Sequence, residues 1–143
     1  MNNYEISKST LCVDSIAVTT KTLYSKAIRK ADHKSLQDLS NALCVDFDLV
    51  PFKVIFDGHR LSKERPTWDS RPNKVVWALT EKNTILVFSM LPTTDRKVTN
   101  GEAVKGLLYE LLKAYDVQIL KLEKSIRTSG YYSRFNDLVS KLA

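Results

Sequence analysis

The stretch GLLYELLKAY, Gly106 to Tyr115, decides how the rest of this chain is read. Leu107, Leu108, Leu111, Leu112 and Tyr115 recur at the three- and four-residue spacing of a single helix face, and Val104 starts the same stripe one turn earlier. Upstream, Thr99 is followed three residues later by Glu102. This pair predicts a capping box: the hydroxyl accepts one free amide hydrogen while the carboxylate reaches back to another. The segment after Thr99 is thus predicted to be helical, and the stripe extends it through Ile119, Leu122 and Ile126.

Working back from this helix, KVVWALT (74–80) and TILVFSML (84–91) are β-branched and aromatic runs separated by EKN, the spacing of a hairpin. PFKVIFD (51–57) is a further strand, bounded by Pro51 and Gly58. Before it, Leu23, Ala27, Ile28 and Ala31, then Leu36, Leu39, Leu43 and Phe47, predict one long helix or two short ones meeting near Asp32–Lys34. They end before Pro51, because the residue preceding a proline is driven out of the helical region. TLCVDSIAVTT (10–20) reads as an additional leading strand, and YSRFNDLVSKLA (132–143) as a short closing helix using Phe135, Leu138, Val139 and Leu142. Strands grouped together with helices before and after give an α+β domain, a three- to four-stranded sheet with helices packed on one face, in the order (β)-α-β-β-β-α-α.

The chain has 143 residues, the common size of a single domain. It is long enough to bury roughly 68% of its unfolded surface without metal or disulfide staples. Apolar residues make up 43% and charged ones 27%, a globular composition. Cys12 and Cys44 both lie in apolar settings, which fits buried reduced thiols better than a secreted disulfide scaffold. The first residues lack a basic segment followed by an apolar one, so no signal peptide is expected. No apolar run approaches the length of a membrane span. The expectation is a soluble cytoplasmic protein.

The order of elements, from LSNALCVDFDL through FKVIFDGHRL and TILVFS to AVKGLLYELLKAY, resembles the small zincin-like metallopeptidases of the SprT and phage type. The closing GYYSRFNDLVSKLA is similar to their final segment. The resemblance spans about 105 residues, from Ser35 to the end. It implies a leading helix, a short sheet and then a helix bearing His-Glu-x-x-His, with a third histidine near the final helix. The ligand positions depart from that pattern. Zinc in such a site needs nitrogen ligands at about 2.0–2.1 Å held by residues four apart on a helix; here those positions are Tyr109 and Lys113, and Tyr131 and Tyr132 stand near the third. Lysine as an ammonium has no lone pair to offer. Only Glu110, the position of the general base, is retained, and without a metal to acidify water a lone glutamate is a poor hydrolytic catalyst. The resemblance therefore implies a pseudoenzyme with no metal and no cofactor.

Glu110 remains the candidate catalytic residue, against the plainer expectation that Glu110 and Lys113 are a solvated pair on an amphipathic helix. Tyr109 is expected to pack its ring and expose its hydroxyl. The chain has two histidines, His33 and His59, and neither forms an HxxxH pair. A magnesium-binding cluster of Asp46, Asp48 and Asp57 is conceivable, although Asp46 and Asp48 suit a helix end and the turn after it. With four glycines no phosphate-cradling loop is present.

The basic residues carry the functional expectation. The net charge is +6, which favours polyanionic partners. Lys53, His59, Arg60, Lys63, Arg65, Trp68, Arg71 and Lys74 lie in and around the long loop 58–73, cations interleaved with an aromatic, a composition suited to phosphate contact and base stacking. Lys121, Lys124, Arg127 and Arg134 form a second group near the carboxyl end. These features predict a non-catalytic binding module for DNA or RNA, or for an acidic protein, in the style of a small viral or mobile-element protein. The rival is a metal-dependent hydrolase or nuclease that uses Glu110 with loop residues such as His59 and Arg60.

Overall fold

A computed structural model describes residues 16–57, 78–90, 96–122 and 129–143. Among them are four helices and three strands: α1 (Val18–Arg29), α2 (His33–Phe47), β1 (Lys53–Phe56), β2 (Ala78–Glu81), β3 (Thr84–Val87), α3 (Asn100–Gln118) and α4 (Ser129–Leu142). The architecture is a small α+β fold. The strand expected over 10–20 lies outside the described residues for 10–15, and Val18–Thr20 form the first turn of α1 instead. Strand propensity in these β-branched residues is overridden by packing: Thr20 is buried, and its hydroxyl donates to Asp46 Oδ2 at 2.6 Å.

The leading helical region is two helices, the second of the two arrangements its pattern allows. The break is set by a capping box in which Asp32 Oδ1 accepts from the Ser35 amide at 2.8 Å and Ser35 Oγ accepts from the Asp32 amide at 2.9 Å. Asp48, at φ 59°, ends α2 in a left-handed cap.

The sheet order is β1-β3-β2, with β1 parallel and β2 antiparallel to the central β3. Lys82 and Asn83 make the hairpin turn, Lys82 with φ 54°. Val54, Ile85 and Val87 face the helices and join the main core, whereas Leu86 and Phe88 are buried with Ile55 in a second cluster. The outer edge of β1 is sealed by side chains of α2. Gln37 accepts from the Val54 amide at 2.8 Å and donates to the Phe52 carbonyl at 2.9 Å, and His33 Nε2 donates to the Val54 carbonyl at 2.7 Å. These side chains take the place of a neighbouring strand and leave that part of the edge unable to template another.

The Thr99–Glu102 capping box starts α3 as expected, with the hydroxyl accepting from the Glu102 amide at 3.1 Å and the carboxylate accepting from the Thr99 amide at 2.9 Å. Arg96 adds two further bonds to the same carboxylate, at 3.1 and 3.0 Å. The helix stops at Gln118, before the end of the expected stripe, and Lys121 turns the chain at φ 59°; Ile126 lies outside the described residues. The closing helix begins earlier than expected, inside SGYY, because the Tyr131 hydroxyl donates to the Tyr109 carbonyl at 2.9 Å and anchors its first turn to α3.

Arg134 does not belong to a basic surface. It is 3% exposed, and its guanidinium grips the fully buried Asp116 through Nε–Oδ1 at 2.9 Å and Nη2–Oδ2 at 2.8 Å. Such a fork is the strong geometry for an arginine–carboxylate pair. Replacing Arg134 by Met alone takes both of these bonds from a buried carboxylate, and the expected loss is about 3–5 kcal/mol of unfolding free energy in urea melts. The double change Asp116→Leu with Arg134→Met should recover most of that loss.

The α3 cap yields a second expectation. The Arg96 guanidinium and the Thr99 amide hold the Glu102 carboxyl down at about 2, against 4.5 when free. Because the folded value is the lower one, this contribution to stability is complete above pH 4.5 and is lost as pH falls toward about 2. Urea midpoints should decline across that window in the parent protein and decline less in Glu102→Gln; equal slopes would contradict the assignment.

Candidate functional site

Glu110 lies on the side of α3 that meets the hairpin. Its carboxylate is 2% exposed, accepts from the Thr80 hydroxyl of β2 at 2.9 Å, and holds Lys113 Nζ at 3.2 and 3.3 Å from its two oxygens. The expectation of a solvated Glu110–Lys113 pair is therefore corrected for its acidic half: the carboxylate is buried and only the lysine, 41% exposed, reaches water. Burial follows from the packing of α3, which touches α1, α2, α4, β2 and β3, so more than one stripe of it is covered. A buried carboxylate needs partners, and the edge-strand hydroxyl and the ammonium one turn away supply them.

Tyr109, next along the helix, packs its ring face to face with Phe135 (centroids 4.3 Å apart) and stacks on Tyr131 at 6.1 Å, while Lys105 Nζ sits 5.7 Å above the ring. Tyr109 and Tyr131 thus belong to an aromatic stack, and Lys113 to an ion pair with Glu110. At 2% exposure the Glu110 carboxylate does not face a solvent-borne substrate.

The basic candidates divide. His59, Arg60, Lys63, Arg65, Trp68, Arg71 and Lys74 lie outside the described residues. Lys53 is exposed at the start of β1, about 10 Å along the strand from Phe56. Asp57 and Ala78, the described residues flanking the loop, stand on opposite sides of Val87, since Phe56 and Ala78 are both register partners of that residue. Both roots of the loop are therefore at one end of the sheet, about 10 Å apart. Of the carboxyl-terminal group, neither described member lies at that end. Arg134 is buried, Lys124 and Arg127 lie outside the described residues, and Lys121 follows the far end of α3, a helix about 28 Å long that starts at the loop end.

That α3 starts there is fixed by two contacts. Val98 donates to the Ser89 carbonyl just beyond β3, and Asn100 accepts from the Ala31 amide at 3.0 Å while donating to the Arg29 carbonyl at 2.8 Å. The α1–α2 turn, the start of α3 and the roots of the loop consequently share one end of the molecule. The acidic trio does not assemble: Asp46 is engaged by Thr20 and Asp48 caps α2. Among the described residues no three His, Cys, Asp or Glu side chains gather as a metal set. Cys44 is a free buried thiol, its pKa pushed up by burial. No described helix is long and apolar enough to cross a membrane.

Sequence reasoning missed the partner of Glu110, since nothing local links Thr80 to a residue thirty positions away. It also passed over KAIRKADHK (26–34), which carries Lys26, Arg29, Lys30 and Lys34 within nine residues; this signal was in plain view but lay inside a helical pattern. Comparison with protein-family models, curated proteins and solved structures returned no match to the chain.

Proposed function

We propose that this chain is a non-catalytic module that binds nucleic acid through the basic loop between β1 and β2. Its scaffold is zincin-like in outline, with the ion position filled by side chains. The observation that carries the reading is the placement of both loop roots beside Val87, at the end of the sheet that also holds the cation-rich α1–α2 turn. The segment between Asp57 and Ala78 carries Arg60, Lys63, Arg65, Arg71 and Lys74, and both of its described flanks lie at the end where Lys26, Arg29, Lys30 and Lys34 gather. A cluster of cations at one end would attract a polyanion more strongly than the same charges spread evenly. What supports the scaffold reading is that Lys113 is taken up by an ion pair with Glu110 and Tyr109 by stacking on Tyr131 and Phe135, so neither side chain is a metal ligand.

Glu110 in this reading is a tie between α3 and the hairpin. The hydrolase alternative requires the same carboxylate to reach a substrate, against the burial and the two partners it has.

The test is fluorescence anisotropy with labelled single- and double-stranded DNA and RNA over a salt series. Binding should weaken linearly on a log–log plot, and reversal of charge at Arg60, Lys63 and Arg65 together should lower affinity at least tenfold without lowering the melting temperature. Absence of binding to all probes would overturn the proposal. Metal-dependent hydrolysis that disappears in Glu110→Gln would establish the alternative.

A further inference from the structure

Between the second half of α1 and the first turns of α2 runs a groove of about 440 Å³, within the range of small-ligand clefts (about 300–1,000 Å³). Lys26, Arg29, Lys30 and Lys34 line it, with Asp32 and Asp38 opposing them. Lys26, Arg29 and Lys30 form no ion pair among the described residues, and all three are exposed. Asp32 is committed to the α2 cap, where its carboxylate accepts from the Ser35 amide. Asp38 pairs with Lys34 at 2.9 Å, but Lys34 is 86% exposed. A pair of that kind is worth about 0–1 kcal/mol and exchanges readily for another anion.

From this arrangement we infer that the α1–α2 groove is a seat for the phosphodiester backbone of a nucleic acid, the second contact surface of the module described above. The inference rests on that reading and deepens it. Lys26 and Lys30, one turn apart, repeat a cation at about 6 Å along the groove wall, suited to a chain that carries a charge every few ångströms. Arg29 lies between them. Its Nε donates to the Ser25 carbonyl at 3.4 Å, which leaves the two terminal nitrogens of the fork for a phosphate. The cations are all phosphate-type donors, and such contacts position a backbone without reading bases. The groove therefore adds affinity that is independent of sequence. Because Asn100 ties the α1–α2 turn to the start of α3, the groove is held at the end of the molecule where Asp57 and Ala78 lie.

The experiment compares the slope of log K against log salt for a labelled twenty-base-pair duplex. The variants are Lys26→Glu with Lys30→Glu, Asp38→Asn, and Lys82→Gln as a control in the β2–β3 turn. Removing one lysine–phosphate interaction lowers the slope by about one. The double reversal is expected to lower it by about two and affinity by tenfold or more, with an unchanged melting temperature. Asp38→Asn removes the competing carboxylate and should tighten binding two- to fivefold, which keeps the inference testable if the double reversal is poorly folded. Lys82→Gln should match the parent. If the parent binds and the loop reversals weaken it while both groove variants leave slope and affinity unchanged, the groove inference fails and the proposed function stands. If the parent binds no nucleic acid, both fail. Tight binding of polyglutamate that is abolished in the double reversal, with no effect of that variant on the duplex, would assign the groove to an acidic protein and overturn the inference.

Discussion

The structure depends on how α3 disposes of a carboxylate with no access to water. Taking Asp116 out of solvent costs several kcal/mol even after relaxation, and only a partner of excellent geometry offsets it. Arg134 is that partner, and its fork fits only if α4 docks in one register. Tyr131, three residues earlier, and Phe135 beside it then fall on Tyr109, while Leu138 and Leu142 continue into the core. With α4 on one side and the sheet, α1 and α2 on the others, ten of the nineteen residues of α3 are buried, so the helix is enclosed rather than half-exposed. Glu110 is buried as a consequence, and its chemistry becomes that of a tie to the hairpin.

Enclosure of the central helix leaves its ends as the places where other elements meet. At the amino-terminal end, Asn100 pins the α1–α2 turn, and the sheet finishes with the two roots of the loop on either side of Val87. Exposed cations on α1 gather there without carboxylates to neutralise them all. At the other end Lys121 marks a turn of the chain, separated from the first surface by the length of α3. Among the described residues, Lys26, Arg29, Lys30 and Lys34 gather at one end of this helix through the packing of α1 and α2.

The parts of the fold that rest on local chemistry were legible in the sequence. The Thr99–Glu102 box, the α3 stripe and the hairpin spacing each declare themselves within a few residues. The burial of Glu110 was not legible, because one stripe of leucines implies one buried side, whereas α3 is covered on several. Nor was Arg134: a cation in a basic segment reads as surface until its partner eighteen residues away is known. The first turn of α1 was misread because Val18, Thr19 and Thr20 favour strands by themselves, whereas the packing of α1 on α2, with the bond from Thr20 to Asp46, holds them in a helix. In each case the missing information was long-range.

The proposed contact surface at the amino-terminal end of α3 can be observed directly. Titrating isotope-labelled protein with a short oligonucleotide and following backbone amide shifts maps the contact surface residue by residue. The account predicts that the largest shifts cluster on 26–34 and at the start of α3 near Asn100, with Tyr109, Glu110, Lys113 and Lys121 undisturbed. Shifts centred on Glu110 and Lys113, or on the carboxyl-terminal end of α3, would contradict it.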